Sequence, residues 1–141
     1  GIQAEKSAAI ANAFFDNTET ITPVSSTTLA DSISVDLPRD GVRAVRAARE
    51  TGGRYLTVTD EQIIAAIAEQ GKFGIFTEPA GATAYAGLKK AIETNVIQRD
   101  EPVIVINTGN GLKDIRAAMM AVTPAPVIEP TMSALKSHLR I

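Results

Sequence analysis

The 141-residue chain has no cysteine, no tryptophan, one histidine and only 4% aromatic residues. Without cysteine it can form no disulfide, no zinc–thiolate site and no thiol nucleophile. A lone histidine, His138, supports neither a catalytic triad nor a paired metal site, and no ExxH or HExxH spacing accompanies the carboxylates. His138 reads instead as a solvated residue on a terminal helix. With aromatics scarce, the core falls to Ala, Ile, Val and Leu, which pack closely but bury less area each. No apolar run approaches the ~18 residues of a membrane span. Basic residues are scattered, the net charge is −2 and the pI is about 5.4, so no nucleic-acid footprint is visible. The opening GIQAEKSAAI lacks the basic-then-apolar layout of a signal peptide, and a cytoplasmic protein is expected.

What the chain does have is a strand–helix rhythm. Residues 1–5 read as a short strand running straight into an Ala-rich helix over 6–15, an abrupt start that predicts a beginning within a fold. Residues 16–38 are polar and β-branched, and a loop of that length is often functional. A helix is predicted over 41–49, ended by Gly52-Gly53. Residues 55–58 form a strand, after which Thr59 and Gln62 make a capping box for a helix whose buried stripe is Ile63, Ile64 and Ile67. Residues 73–76 read as a strand. Pro79 opens the next helix, with Leu88 and Ile92 facing inward. Residues 103–106, VIVI, read as a central parallel strand covered on both faces. Gly109 to Gly111 turn into a helix over 112–122. A Pro-rich linker over 123–130 and an amphipathic helix with Met132, Leu135 and Leu139 close the chain, which divides it into 1–122 and 123–141. Alternating strands and helices imply an open α/β sheet, whose ligands sit beyond the carboxyl ends of the strands.

Three segments there could carry chemistry. In VIVINTGNGLKD, the glycines permit close backbone approach to a ligand, and Thr108 places a hydroxyl at the strand's carboxyl end. Its spacing departs from GxxxxGK[ST], so it fits an unliganded strand-to-helix turn as well as an anion loop. In FTEPAGA, Glu78 precedes a helix start, whose dipole favours its ionised form; the residues alone favour a plain helix-start carboxylate. TTLADSISV is rich in hydroxyls and otherwise reads as a solvated loop entering an edge strand. Arg39, Arg43, Arg46 and Arg49 form one solvated helix face, or the border of an anionic entrance.

Taken in order, TLADSISV, TEPAGATA and NTGNGLKD resemble the C-terminal half of threonine synthases, pyridoxal-phosphate enzymes of the tryptophan-synthase-β-like fold. GIQAEKSAAI and GVRAVRAARETGGRYLTVTDEQIIAAIA are similar to the family as well, so the likeness covers roughly residues 1–122. EPAGA is shared widely across the fold type; TGNGLKD points to threonine synthase over the dehydratases. The resemblance implies a three-layer α/β architecture, an open and mostly parallel sheet with helices on both faces. It implies that Thr108 hydrogen-bonds the cofactor's pyridine nitrogen, a neutral partner that does not hold that nitrogen protonated. It places Gly109 and Glu78 in the cofactor cleft and Ser32, with Ala30 and Asp31, beside the ring. Asn110 departs from the histidine that many threonine synthases carry between the two glycines, which leaves the substrate open.

The family's cofactor-anchoring lysine and phosphate loop belong to an N-terminal half, and Lys6, Lys72, Lys89, Lys90, Lys113 and Lys136 have unlike surroundings. The expectation is a parent enzyme turning O-phosphohomoserine and water into threonine and phosphate, with this chain inactive alone. A threonine or serine dehydratase is the alternative within the fold type, and an anion-binding regulatory module the alternative outside it. The parent's partner is a small amino-acid substrate, and exposed apolar surface predicts a homo-oligomer.

Overall fold

The computed structural model describes residues 1–141. Two parallel strands, β1 (Ile2–Ala4) and β2 (Leu56–Val58), pair in the register Ile2↔Leu56, Gln3↔Thr57, Ala4↔Val58. Around them lie α1 (Ala9–Phe15), α2 (Gly41–Glu50), α3 (Asp60–Gly71), α4 (Pro79–Glu93), α5 (Ile115–Met120) and α6 (Met132–Leu139). Strand residues alternate between faces. Ala4 and Val58 enter a core with Ile63, Ala66 and Ile67 of α3, Ala82 and Ala86 of α4, and Ala117 of α5. Between them Gln3 turns the other way, its side-chain oxygen accepting the Ala11 N–H of α1 at 2.8 Å. On that side α1 packs on α2, with Ala8, Ala11 and Tyr55 forming a second apolar cluster. Helices therefore cover both faces of a parallel sheet, as expected, although the sheet has two strands.

The local signals behave as their chemistry dictates. The Thr59 side chain accepts the Gln62 N–H while the Gln62 side chain accepts the Thr59 N–H, so both halves of the capping box form. Pro79 stands at the start of α4. Gly52, at φ +67°, takes the left-handed turn that ends α2.

Five expectations need correction. Residues 103–106 form no strand; Ile104 is 92% and Ile106 70% exposed. An apolar segment becomes a strand only when a neighbour takes up its backbone groups, and β1 and β2 pair only with each other. Residues 73–76 likewise form no strand, with only an isolated antiparallel bridge between Thr77 and Asn110 nearby. The helix over 112–122 is split: a 3₁₀ turn at Gly111–Lys113 precedes α5, whose start is set by the Asp114 carboxylate accepting the Ala117 N–H at 2.9 Å. Leu88 and Ile92 are half-buried, and the buried stripe of α4 is Ala82, Ala86 and Ala91. The helix expected over 6–15 is likewise divided, a 3₁₀ turn at Glu5–Ser7 preceding α1.

The long loop over 16–38 contains one 3₁₀ turn, Asp31–Ile33. It is held by buried polar groups rather than by strand pairing. The Ser7 hydroxyl, 2% exposed, donates to the Ile33 carbonyl at 3.0 Å and accepts the Val35 N–H at 3.1 Å. Residues 123–130 carry no helix or strand, and Met132, Leu135 and Leu139 of α6 are exposed.

Candidate functional site

The carboxyl ends of the strands gather the chain's polar chemistry. Lys6 follows β1 and Asp60 follows β2, and they meet as an ion pair at 2.8 Å. Asp60 is also hydrogen-bonded by the Thr28 hydroxyl at 2.6 Å and the Leu29 N–H at 3.3 Å, which brings the long loop over the strand ends. Burial pushes the Asp60 carboxyl up, but the Lys6, Thr28 and Leu29 hydrogen bonds outweigh it and hold the group below its ordinary value. The same pair raises Lys6, chiefly through its hydrogen bond to Asp60.

Beside this node, α4 and the turn over 107–111 close on each other. Glu78, the residue before Pro79, donates its backbone N–H to the Gly109 carbonyl at 3.1 Å, and Gly111 donates to the Phe76 carbonyl at 3.1 Å. The Glu78 side chain, 5% exposed in its residue total, folds over Gly109 so closely that a Cβ there would lie 1.8 Å from Oε1. Lys113 donates to Glu78 Oε1 at 2.7 Å and Ser32 to Oε2 at 3.3 Å. From α4, Gly81 meets the same turn: its Cβ would sit 3.2 Å from the Gly109 carbonyl. Glycine at 109 is thus required by a close approach.

The structure therefore brings together Glu78, Gly109 and Ser32. Thr108 is exposed at the edge of the turn, where it borders an apolar cleft of about 490 Å³ that also includes Ile33, Ala80, Thr83 and Ala84. The Thr83 hydroxyl is spent on the Pro79 carbonyl at 2.9 Å, so a cleft of this size and lining, with the Thr108 hydroxyl at its rim, suits a flat, largely apolar ligand carrying one hydrogen-bonding atom. Small residues on α4 leave room for a ring, and the chain's own residues fit such a group on that side.

The anion-loop reading of 109–111 fares worse. A carboxylate already lies against Gly109, the Leu112 N–H is taken by the Asn110 side chain at 2.9 Å, and Asp114 caps α5. Three lysines pair with carboxylates, Lys6 with Asp60, Lys113 with Glu78 and Lys89 with Glu69, and Lys90 donates to the Thr57 carbonyl. Hydrogen bonding to Glu69 raises Lys89. A lysine nucleophile needs the opposite shift. His138 and the arginines of α2 stand apart from the cleft; Arg46 pairs with Glu19 at 2.6 Å, and the Arg49 side chain donates to the Thr18 carbonyl at 3.2 Å.

Lys113, Asp60, Thr28 and Gln70 belong to this region and were not singled out for it by the sequence. Lys113 and Thr28 were within reach, since they lie inside the TGNGLKD and TTLADSISV segments. Asp60 meets Thr28 across 32 positions and Gln70 meets Asn107 across 37, which no local spacing reveals.

A family description, pyridoxal-phosphate dependent enzyme, matches residues 1–109. The chain is 40% identical over 144 residues to the threonine synthase of Methanocaldococcus jannaschii, covering 99% of this chain and 35% of that protein. To the threonine synthase of Methanosarcina acetivorans it is 38% identical over 141 residues, again covering 99% of this chain and 35% of the relative. The crystal structure of Escherichia coli threonine synthase superposes with a TM-score of 0.61 at 17% identity, covering 99% of this chain and 36% of that one. The chain spans about a third of the length of these relatives.

Proposed function

The chain belongs to the pyridoxal-phosphate dependent enzymes, and on that premise we propose that it forms the C-terminal part of a cytoplasmic threonine synthase. The reaction of the whole enzyme is the conversion of O-phosphohomoserine and water to threonine and phosphate. Pyridoxal phosphate, when bound, draws electrons from the substrate's α-carbon. This chain's part is to seat the ring. Thr108 offers its hydroxyl to the pyridine nitrogen, a partner that leaves that nitrogen unprotonated. Gly109 lets the backbone lie close, Glu78 braces the turn from beneath, and Ser32 carries the long loop to the rim. The lysine that anchors the cofactor lies on other polypeptide, so the 141 residues alone are inactive.

One observation carries the reading: Thr108 stands exposed at the rim of an apolar cleft while the next residue is locked against buried Glu78. A specific ring contact needs both an available hydroxyl and an immobile backbone. In the full-length enzyme, Thr108→Val is expected to lower kcat about 3- to 10-fold, the worth of one neutral hydrogen bond, and to shift the cofactor's visible absorption band, with Thr108→Ser restoring both. An unchanged spectrum and rate in Thr108→Val sinks the assignment. The isolated chain, mixed with pyridoxal phosphate and borohydride, is expected to show no stoichiometric adduct by mass spectrometry.

A further inference from the structure

If Glu78 holds the turn on one side of Thr108, something must hold the other side, and the residue that does so comes from the core. Gln70, near the end of α3, is 2% exposed. Its side-chain carbonyl accepts the Thr77 hydroxyl at 2.9 Å, and its amide nitrogen donates to the Asn107 side-chain oxygen at 3.0 Å. Thr77 is itself 3% exposed and forms the bridge to Asn110. Burying a primary amide is costly unless its donor and acceptor are paired. An apolar side chain of the same length would fill that volume without the cost. What glutamine adds is a directed contact to Asn107, an exposed residue on the turn.

We infer that Gln70 is a positioning residue: with Thr77 it anchors Asn107, so that Thr108 is held between two fixed neighbours, Asn107 on α3 and Gly109 on Glu78. This rests on the proposed role of Thr108 for its functional meaning, but its physical content does not. The two anchors act on opposite sides of one residue, which removes the backbone freedom that would otherwise let its hydroxyl wander.

The test uses the full-length protein that carries these residues, without cofactor. Gln70→Met keeps the volume and removes the amide. Hydrogen exchange followed by NMR should show about a tenfold loss of protection, the scale of one lost hydrogen bond, at the Glu78 and Gly111 N–H groups that cross the turn. The Ala44 and Ile63 N–H groups, in α2 and α3, should hold their protection. Thr77→Val, a milder change, should give the same pattern at smaller amplitude. Unchanged protection at Glu78 and Gly111, or an equal loss at all four amides, overturns the inference, since a merely structural glutamine would loosen the fold evenly. In the full-length enzyme Gln70→Met should lower kcat while KM stays within about twofold; the reverse split also overturns it. Failure of the Thr108→Val experiment removes the ring from the account, whereas the exchange pattern bears on Gln70 alone.

Discussion

Asp60 shows how a single buried carboxylate joins distant parts of the chain. It receives Lys6 from the end of β1 and Thr28 from the long loop. Its folded acidity is greater than its ordinary one, so the unfolded state binds the proton more readily and acid favours unfolding. The stabilisation is complete above the ordinary value of 3.8 and disappears as the pH falls through the lower folded value. Thr28→Val should cost about 1 kcal/mol at neutral pH by urea denaturation, and Asp60→Asn should flatten the acid limb of stability against pH. An acid limb unaltered in Asp60→Asn would remove Asp60 as its source. At this scale the Gly109 turn and the Glu78 carboxylate were visible as local patterns, which an unliganded turn and a plain helix start also explain, so the roles proposed for Thr108, Gly109 and Glu78 came from the family likeness. Ser32 came from the family likeness, and its contact with Glu78 spans 46 positions.

At the scale of elements, small residues replace the missing aromatics. The face of α4 toward the sheet is Ala82, Ala86 and Gly87, and a Cβ at Gly87 would lie 2.3 Å from two carbons of Ile2. Gly87→Ala gains up to about 1 kcal/mol of helix propensity but forces Ile2 and β1 away, an overpacking cost of about 1–3 kcal/mol. The expected outcome is a net loss of stability by urea denaturation, relieved by Ile2→Val; a gain in stability would mean that α4 does not pack on β1 this closely. Helix starts were readable at α3 and α4 because a capping box and a first-turn proline act within four residues. Strands at 73–76 and 103–106 were misread because apolar, β-branched composition states a preference for burial, and only a hydrogen-bonding neighbour makes a strand.

For the whole molecule, the unpaired apolar segment matters most. Val103, Ile104 and Ile106 are all exposed and line the cleft that Thr108 borders. Contiguous apolar surface of this kind favours association. Ile104→Lys is expected to shift the chain toward monomer in sedimentation while leaving stability within about 0.5 kcal/mol, as for other exposed positions; identical sedimentation of the variant and its parent would discard the idea. No helix here is long and apolar enough to cross a membrane. The sequence alone determined the α/β class, the capping box and first-turn proline, the turn glycines and the likeness to threonine synthases, because each is written in spacings of a few residues or in an ordered run of motifs. Tertiary structure alone decided which of those residues meet: that Lys113 and Ser32 converge on Glu78, that Gln70 reaches Asn107, and that Ile104 and Ile106 lie bare. Those outcomes depend on contacts between segments tens of residues apart, and their energies exist only once the chain has closed on itself.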